Sequence, residues 1–275
     1  MLFRYPGGKS KKSIVNTILG FFPQNFKEYR EPFVGGGGIF FNIPTFVPRW
    51  INDIDQNLIS VYFALRDRPE EFIKLCRSIK PQEKGEKLTS AKPNGKKIYN
   101  ARLKAVFDEL LSNPNSDPAL KYLFVNRTNW AGRVNYNLPS RLYFSNPSGW
   151  NIVSKNVLEE AALILSGTKI SSGDYSILLN EPGEDVLIYI DPPYFVNSNF
   201  SPMSQLYANN FTEKDHIVLC EKLRTCKHKF VISYDSDPFI IDLYKGMNIN
   251  YANWKYCGTS LKEKKDGKEL IITNF

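Results

Sequence analysis

The sequence predicts an α/β fold interrupted by a mainly helical insertion. Three observations carry that prediction. Near the start, Glu28 to Val34 reads as a strand, Gly35 to Gly38 as a glycine turn, and Trp50 to Ile54 as a second short strand followed by a helical stripe. Much later, the apolar run Val186 to Ile190 is too short for a buried helix and stops at Asp191-Pro192-Pro193-Tyr194, as a buried strand entering a loop would. Between these, residues 66–153 break the alternation of strand and helix and carry most of the chain's excess charge.

The elements follow in order. Ile14, Val15, Ile18, Leu19 and Phe22 form a helical stripe after a Gly-Gly turn, closed by Pro23. The glycines lead into Ile39, Phe40 and Phe41, read as the start of a helix. Leu58, Ile59, Tyr62, Phe63 and Leu65 give the apolar face of the helix after the second strand. Inside the insertion, Ile98, Tyr99, Leu103, Val106, Phe107, Leu110 and Leu111 repeat at helical spacing, turn signals cluster at Asn113 to Pro118, and Asn126 to Trp150 is rich in Asn, Arg and aromatic residues. The α/β pattern resumes with a helix near Val157 to Leu165 and a strand at Lys169 to Ser172. A helix capped by Thr212 is expected over Glu213 to Arg224, and strands at Phe230 to Ser233, Ile249 to Tyr256 and Glu269 to Phe275.

Composition narrows the function classes. The chain has 275 residues, 42% of them hydrophobic, with 19 Phe and 15 Tyr, enough to build a full core. No apolar run reaches the roughly 20 residues a bilayer crossing needs, and Met1 to Lys12 lacks a signal-peptide core, so a cytoplasmic protein is expected. Cys76, Cys220, Cys226 and Cys257 show no C-x-x-C spacing, and His216 and His228 are the only histidines, read as surface residues. Metal sites and His-based hydrolysis are therefore not expected. The net charge of +8 favours a polyanionic partner. It is concentrated in Lys80 to Lys104, where eight basic residues stand against two acidic ones.

Three motifs carry chemistry. Asp191-Pro192-Pro193-Tyr194 would arise by chance in roughly one chain in a thousand, and it stands where open α/β sheets place their ligands. Asp191 supplies a carboxylate acceptor, the prolines stiffen the Pro192 carbonyl, and the two acceptors suit one NH₂ group while Tyr194 offers a face to a planar base. The second motif is Glu31-Pro-Phe-Val-Gly35 with Asp53 eighteen residues on. It suits an adenosine-containing cofactor, with glycines for close backbone approach and a carboxylate for a ribose diol. Tyr5-Pro-Gly-Gly-Lys9-Ser10 is not a phosphate loop, because that pattern requires glycine where Phe3 stands.

Taken together, Tyr5 to Lys9, Glu31 to Phe40, Asn52 to Leu58, Gly173-Asp174-Tyr175, Asp191 to Tyr194 and Lys268 to Phe275 resemble, in the same order, the motifs of the Dam-like, alpha-group DNA adenine methyltransferases. The resemblance implies a Rossmann-like sheet using S-adenosylmethionine and releasing S-adenosylhomocysteine, with no metal. Its catalytic domain would be 1–65 and 154–275, and its target-recognition domain 66–153. It implies cofactor contacts from Tyr5, Gly8, Lys9, Phe33, Gly35, Asp53, Asp174, Tyr175 and Asp191. It further implies that Asp191 and Pro192 bind the amino group of an adenine flipped out of duplex DNA, with Tyr194 stacked on the base.

The insertion is then expected to read DNA, through Lys92, Lys96 and Lys97 on phosphates and Arg127, Arg133, Asn135 and Asn137 in the Asn-rich stretch. Asn135 stands where readers of GATC usually carry Arg, which points away from that site. Methylation of the cytosine amino group fits the same pocket logic, but Asp191 takes the place of the Ser usual in those enzymes. A catalytically silent DNA-binding module is the other alternative, opposed by the intact Asp191, Tyr194, Asp53 and Lys9. A monomer or weak dimer is expected, acting alone or beside a cognate restriction endonuclease.

Overall fold

The structure is a computed structural model and describes residues 2–3, 9–80, 93–128, 134, 154–195, 211–255 and 266–275. The chain divides into two compact units, Met1–Gly8 with Asp55–Ile170 and Lys9–Ile54 with Ser171–Phe275. The first unit extends beyond the 66–153 insertion, because the helices on either side of that segment pack with it.

The second unit is built on a seven-stranded sheet. Its strands are β1 (Glu28–Glu31), β2 (Arg49–Asp53), β3 (Lys169–Ser172), β4 (Val186–Ile190), β5 (Lys229–Asp235), β6 (Asn248–Lys255) and β7 (Asp266–Thr273), in the order β3-β2-β1-β4-β5-β7-β6. β1 pairs parallel with β2 and β4, and β4 with β5, while β7 runs antiparallel between β5 and β6. From β1 the chain moves outward to β2 and β3, then returns to open the other half at β4. Such a reversal leaves a crevice at the carboxyl ends of β1 and β4, the usual ligand position in open α/β sheets.

Every residue of β2 and β4 is buried; β4 reads as a continuous apolar run for that reason, whereas β2 buries Arg49, Asn52 and Asp53 beside Trp50 and Ile51. The described helices of this unit are α1 (Lys12–Leu19), α7 (Ser176–Asn180), α8 (Glu213–Thr225) and α9 (Pro238–Leu243), and one core cluster gathers Ile188 and Ile190 of β4, Phe230 and Ile232 of β5, Leu270 and Ile272 of β7, and Leu219 and Leu223 of α8. A capping box at Thr212 and Asp215 starts that helix, as its sequence predicts. Beneath the sheet, the buried Arg30 guanidinium pairs with Glu28 at 2.6 Å and donates to the carbonyls of Leu178, Glu181 and Pro182 at 2.9, 2.6 and 3.0 Å. It staples β1 to the turn that leads into β4.

The segment after the glycines departs from expectation. Phe40–Asn42 is a single 3-10 turn rather than a helix. Pro44 forces Ile43 into an extended conformation (φ −81°, ψ 133°), so the helix cannot propagate.

The other unit is helical, with α2 (Gln56–Asp67), α3 (Pro69–Ser78), α4 (Pro93–Ser112), α5 (Pro118–Thr128) and α6 (Lys155–Leu165). Asp55 caps α2 by accepting from the backbone of Asn57 and Leu58 at 3.0 and 3.2 Å. Pro69 opens α3 immediately after Arg68 breaks the helical dihedrals. The α5 helix lacks a polar face: Leu120 and every residue from Tyr122 to Thr128 are buried. The ring of Phe3 packs against Tyr62 and Tyr122, with centroids 5.2 and 6.3 Å away.

Candidate active site

The carboxyl end of β1 turns sharply at the glycines. Gly35 (φ 46°) and Gly37 (φ 69°) adopt left-handed backbone that side-chain-bearing residues resist, which is why this turn is written in glycine. The turn is tied to the neighbouring strands. Gly35 N donates to Asp53 Oδ2 at 2.9 Å, and Val34 N to the Asn52 carbonyl at 2.9 Å. Asn52 Nδ2 reaches the carbonyls of Pro32 and Gly173 at 3.2 and 2.9 Å, and Gly173 N donates to the Asp53 carbonyl at 3.1 Å. Glu31, at the root of the turn, is fully buried and accepts from the Tyr29 hydroxyl at 2.5 Å; burial pushes its carboxyl well above the usual carboxylate range.

Beside this turn stands an aromatic group. Phe33 stacks on Tyr175 with centroids 5.1 Å apart, and Phe211 meets Phe33 edge-on at 5.9 Å. Asp174 is exposed and turns back to accept from Ser176 N at 2.8 Å, which starts the short helix Ser176–Asn180. Burial, then the Asp174 charge, pushes the Tyr175 phenol up to about 12.

At the end of β4, Asp191 Oδ1 is held from behind. Lys9 Nζ donates to it at 3.0 Å and Ser233 Oγ of β5 at 2.9 Å. Among the described residues Oδ2 receives no hydrogen bond, and the side chain keeps 23% of its surface exposed. One carboxylate oxygen is thus anchored and the other turned outward. Lys9 itself is 3% exposed; its ammonium also donates to the Tyr194 hydroxyl, lies 4.5 Å from the Tyr194 ring centroid, and is 3.5 Å from Glu269 Oε2. Gly38 makes room for this lysine: a Cβ there would come within 2.9 Å of the Lys9 carbonyl carbon and oxygen. The glycine run therefore serves two purposes, a left-handed turn at its start and a close backbone contact at its end.

The structure thus brings Lys9, Asp191 and Tyr194 together and ties Gly35 to Asp53, with Phe33 and Tyr175 stacked beside them; Pro192 is buried next to Asp191. Tyr5, Gly8, Lys92, Arg133, Asn135 and Asn137 lie outside the described residues, as do the side chains of Lys96 and Lys97 in α4. Arg127 is 3% exposed and donates to the Leu2 carbonyl at 3.4 Å, so its guanidinium faces protein rather than solvent. His216 is likewise a core residue and not a surface one. Its Nδ1 lies 2.9 Å from the Tyr234 hydroxyl, and burial lowers it to about 4. Sequence reasoning missed Ser233 and Glu269. The only signal for the latter was a carboxylate directly before the apolar run Leu270 to Ile272.

A glycine turn and an outward carboxylate, set at adjoining strand ends of a sheet with this strand order, place the protein in the class of Rossmann-like α/β proteins that bind a ligand at the strand ends. Within that class, the family model for D12 class N6 adenine-specific DNA methyltransferases matches residues 5–257, and the chain belongs to that family. A type II methyltransferase of Lactococcus lactis subsp. cremoris is 28% identical, across 99% of this chain and 94% of the relative. One from Methanocaldococcus jannaschii is 29% identical, across 99% and 98%. The DNA adenine methylase of Escherichia coli K12 is 28% identical across 70% of this chain and 64% of the relative.

The chain is accordingly an enzyme of adenine methylation in DNA. Membership carries DNA as the substrate and S-adenosylmethionine as the general methyl source. The residues at the β1 and β2 ends fit such a cofactor: the turn carries two left-handed glycines without side chains, Gly35 meets a carboxylate at the next strand end, and an aromatic pair stands beside them. No described helix is long and apolar enough to cross a membrane. Among the described residues no cluster of His, Cys, Asp or Glu is grouped for a metal ion.

Proposed function

We propose that the enzyme methylates the 6-amino group of an adenine flipped out of duplex DNA, with Asp191, Pro192 and Tyr194 as the residues that meet the base. The carrying observation is the asymmetry of Asp191: Oδ1 is fixed by Lys9 and Ser233 while Oδ2 faces outward. Asp191 Oδ2 and the Pro192 carbonyl accept hydrogen bonds from the two amino N–H groups, and drawing those hydrogens aside frees the nitrogen lone pair from the ring; the nitrogen forms its bond to the methyl as the sulfonium bond breaks, and it then loses one proton. Tyr194 is anchored by its hydroxyl and presents its ring to the base, offsetting part of the few kcal/mol that extrusion costs. Bound S-adenosylmethionine supplies a methyl group already activated on a sulfonium. Phe33, Gly35, Asp53, Asp174 and Tyr175 hold it, Asp53 on the ribose, with Tyr5, Gly8, Lys9 and Asp191 completing the contacts. The chain's part is to orient two partners and exclude water.

DNA recognition falls to 66–153, with phosphate contacts from Lys92, Lys96 and Lys97 and base contacts from Arg133, Asn135 and Asn137. The burial of Arg127 assigns it to holding α5 in place. The type II names of the two relatives matched nearly end to end favour a protective role beside a restriction endonuclease. The test is transfer of labelled methyl from S-adenosylmethionine to adenine-containing DNA. The wild type labels adenine and Asp191→Ala does not; equal labelling by both overturns the mechanism.

A further inference from the structure

Glu269 is a buried carboxylate in strand β7, directly before the apolar run Leu270 to Ile272. Strand alternation puts Leu270 and Ile272 into the core cluster with α8, so Glu269 points to the opposite face. There it is 0% exposed, yet it is not packed as a bystander. Its Oε2 accepts from the Tyr194 hydroxyl at 2.8 Å and lies 3.5 Å from Lys9 Nζ. Both partners are residues that brace the base-binding motif: Lys9 anchors Asp191 Oδ1, and Tyr194 carries the stacking ring.

We infer that Glu269 is a positioning residue for methyl transfer, holding the Tyr194 phenol and the Lys9 ammonium from behind so that the Tyr194 ring and the Asp191 carboxylate keep their reactive places. The inference rests on the roles proposed for Asp191 and Tyr194. Its physical content is a two-ended brace. A carboxylate in the dry interior binds an ammonium and a phenol more strongly than it would in water, and β7 is fixed by its pairing with β5, in which Glu269 stands opposite Asp235. The brace depends on ionisation. Burial pushes the Glu269 carboxyl up to about 7, against the pull of Lys9 and with a further push from Asp191. Among the described residues, Lys9, Asp191, Tyr194, Asp235 and Tyr189 are the charged and titratable groups that act on it. Above pH 7 the carboxylate is ionised, accepts from the Tyr194 hydroxyl and pairs with the Lys9 ammonium; below it, protonation weakens its hold on the ammonium.

The test compares wild type with Glu269→Gln in single-turnover methyl transfer across pH 5.5 to 9, using labelled S-adenosylmethionine and adenine-rich genomic DNA. Calorimetric binding of S-adenosylhomocysteine is measured alongside. Wild type is expected to lose rate as pH falls through about 7. Glu269→Gln is expected to be slower by about tenfold at pH 8, to lack that acid limb, and to bind S-adenosylhomocysteine within about twofold of wild type. A merely structural role would lower stability and cofactor binding together and leave the pH profile alone. If Glu269→Gln does not fold, Tyr194→Phe serves: it keeps the ring, removes the braced hydroxyl, and should lower kcat with KM for S-adenosylmethionine unchanged. A wild-type rate and pH profile in Glu269→Gln, or a wild-type kcat in Tyr194→Phe, overturns the brace. If Asp191→Ala also labels DNA normally, the reading of the site itself has failed; if only the Glu269 arm is silent, that reading stands and the brace falls.

Discussion

Replacing Gly38 by alanine asks whether Lys9 is really seated on the glycine turn. The added Cβ would stand 2.9 Å from the Lys9 carbonyl carbon and oxygen and 3.2 Å from Ser10 N. To reach an ordinary 3.4 Å contact, the Lys9 backbone must retreat by about half an ångström. The obstacle is main chain, which cannot swing aside as a flexible side chain would, so overpacking of about 1–3 kcal/mol is expected. For a protein of this size that lowers Tm by roughly 2–5 °C. The retreat also carries the Lys9 ammonium away from Asp191 Oδ1, now 3.0 Å distant. Misplacement by about 1 Å near reacting groups costs on the order of 100-fold, so half of that predicts about tenfold slower methyl transfer. Differential scanning fluorimetry and single-turnover labelling read the two effects. Gly167→Ala is the control: at φ 72° with no atom within 4 Å of the new Cβ, it should lose about 1–2 kcal/mol through backbone strain and keep its transfer rate. A Gly38→Ala enzyme that melts and methylates like wild type would refute the seating of Lys9.

Three further outcomes are expected. Asp53→Ala removes the acceptor of Gly35 N and the proposed ribose ligand; its Kd for S-adenosylhomocysteine should rise about 10- to 100-fold by calorimetry while DNA binding survives. Arg30→Met leaves three carbonyls and the Glu28 carboxylate without their guanidinium; a loss of about 3–5 kcal/mol should drop Tm by roughly 5–9 °C, and a change under 2 °C would reject the staple. His216 is held neutral in the fold at about 4, below the 6.5 of a free imidazole, so the unfolded chain takes up the proton first. Stability is therefore present above pH 6.5 and lost as pH falls toward 4, at up to about 1.4 kcal/mol per pH unit. The acid melt of His216→Gln should be shallower, and an unchanged slope would argue against a neutral buried imidazole.

Much of the fold was legible because its signals are local. The apolar run before Asp191, the Thr212 cap and the stripe at Leu58 to Leu65 each reflect a periodicity or a hydrogen bond formed within a few residues, and the strands and helices stand where those patterns put them. The exceptions have physical causes. The α5 helix is buried around most of its circumference, so it shows no amphipathic stripe, and the Asn- and Arg-rich stretch that begins at Asn126 hides its end. His216 looked like a surface residue because its partner Tyr234 lies on another element.

The sequence alone determined the chemistry at the strand ends: a carboxylate followed by two prolines and a tyrosine, a glycine turn after the first strand, and a carboxylate ending the second. Those depend on residue types at short spacing, which any fold of this class would place near its ligand crevice. Only the tertiary structure decided how the chemistry is aimed. Lys9 meets Asp191 across 182 positions, and Tyr194 meets Glu269 across 75. Contacts at that separation leave no pattern in a single chain; they arise when the order β1-β4-β5-β7 lays four distant segments side by side. That order gives Asp191 one anchored oxygen and one that faces outward.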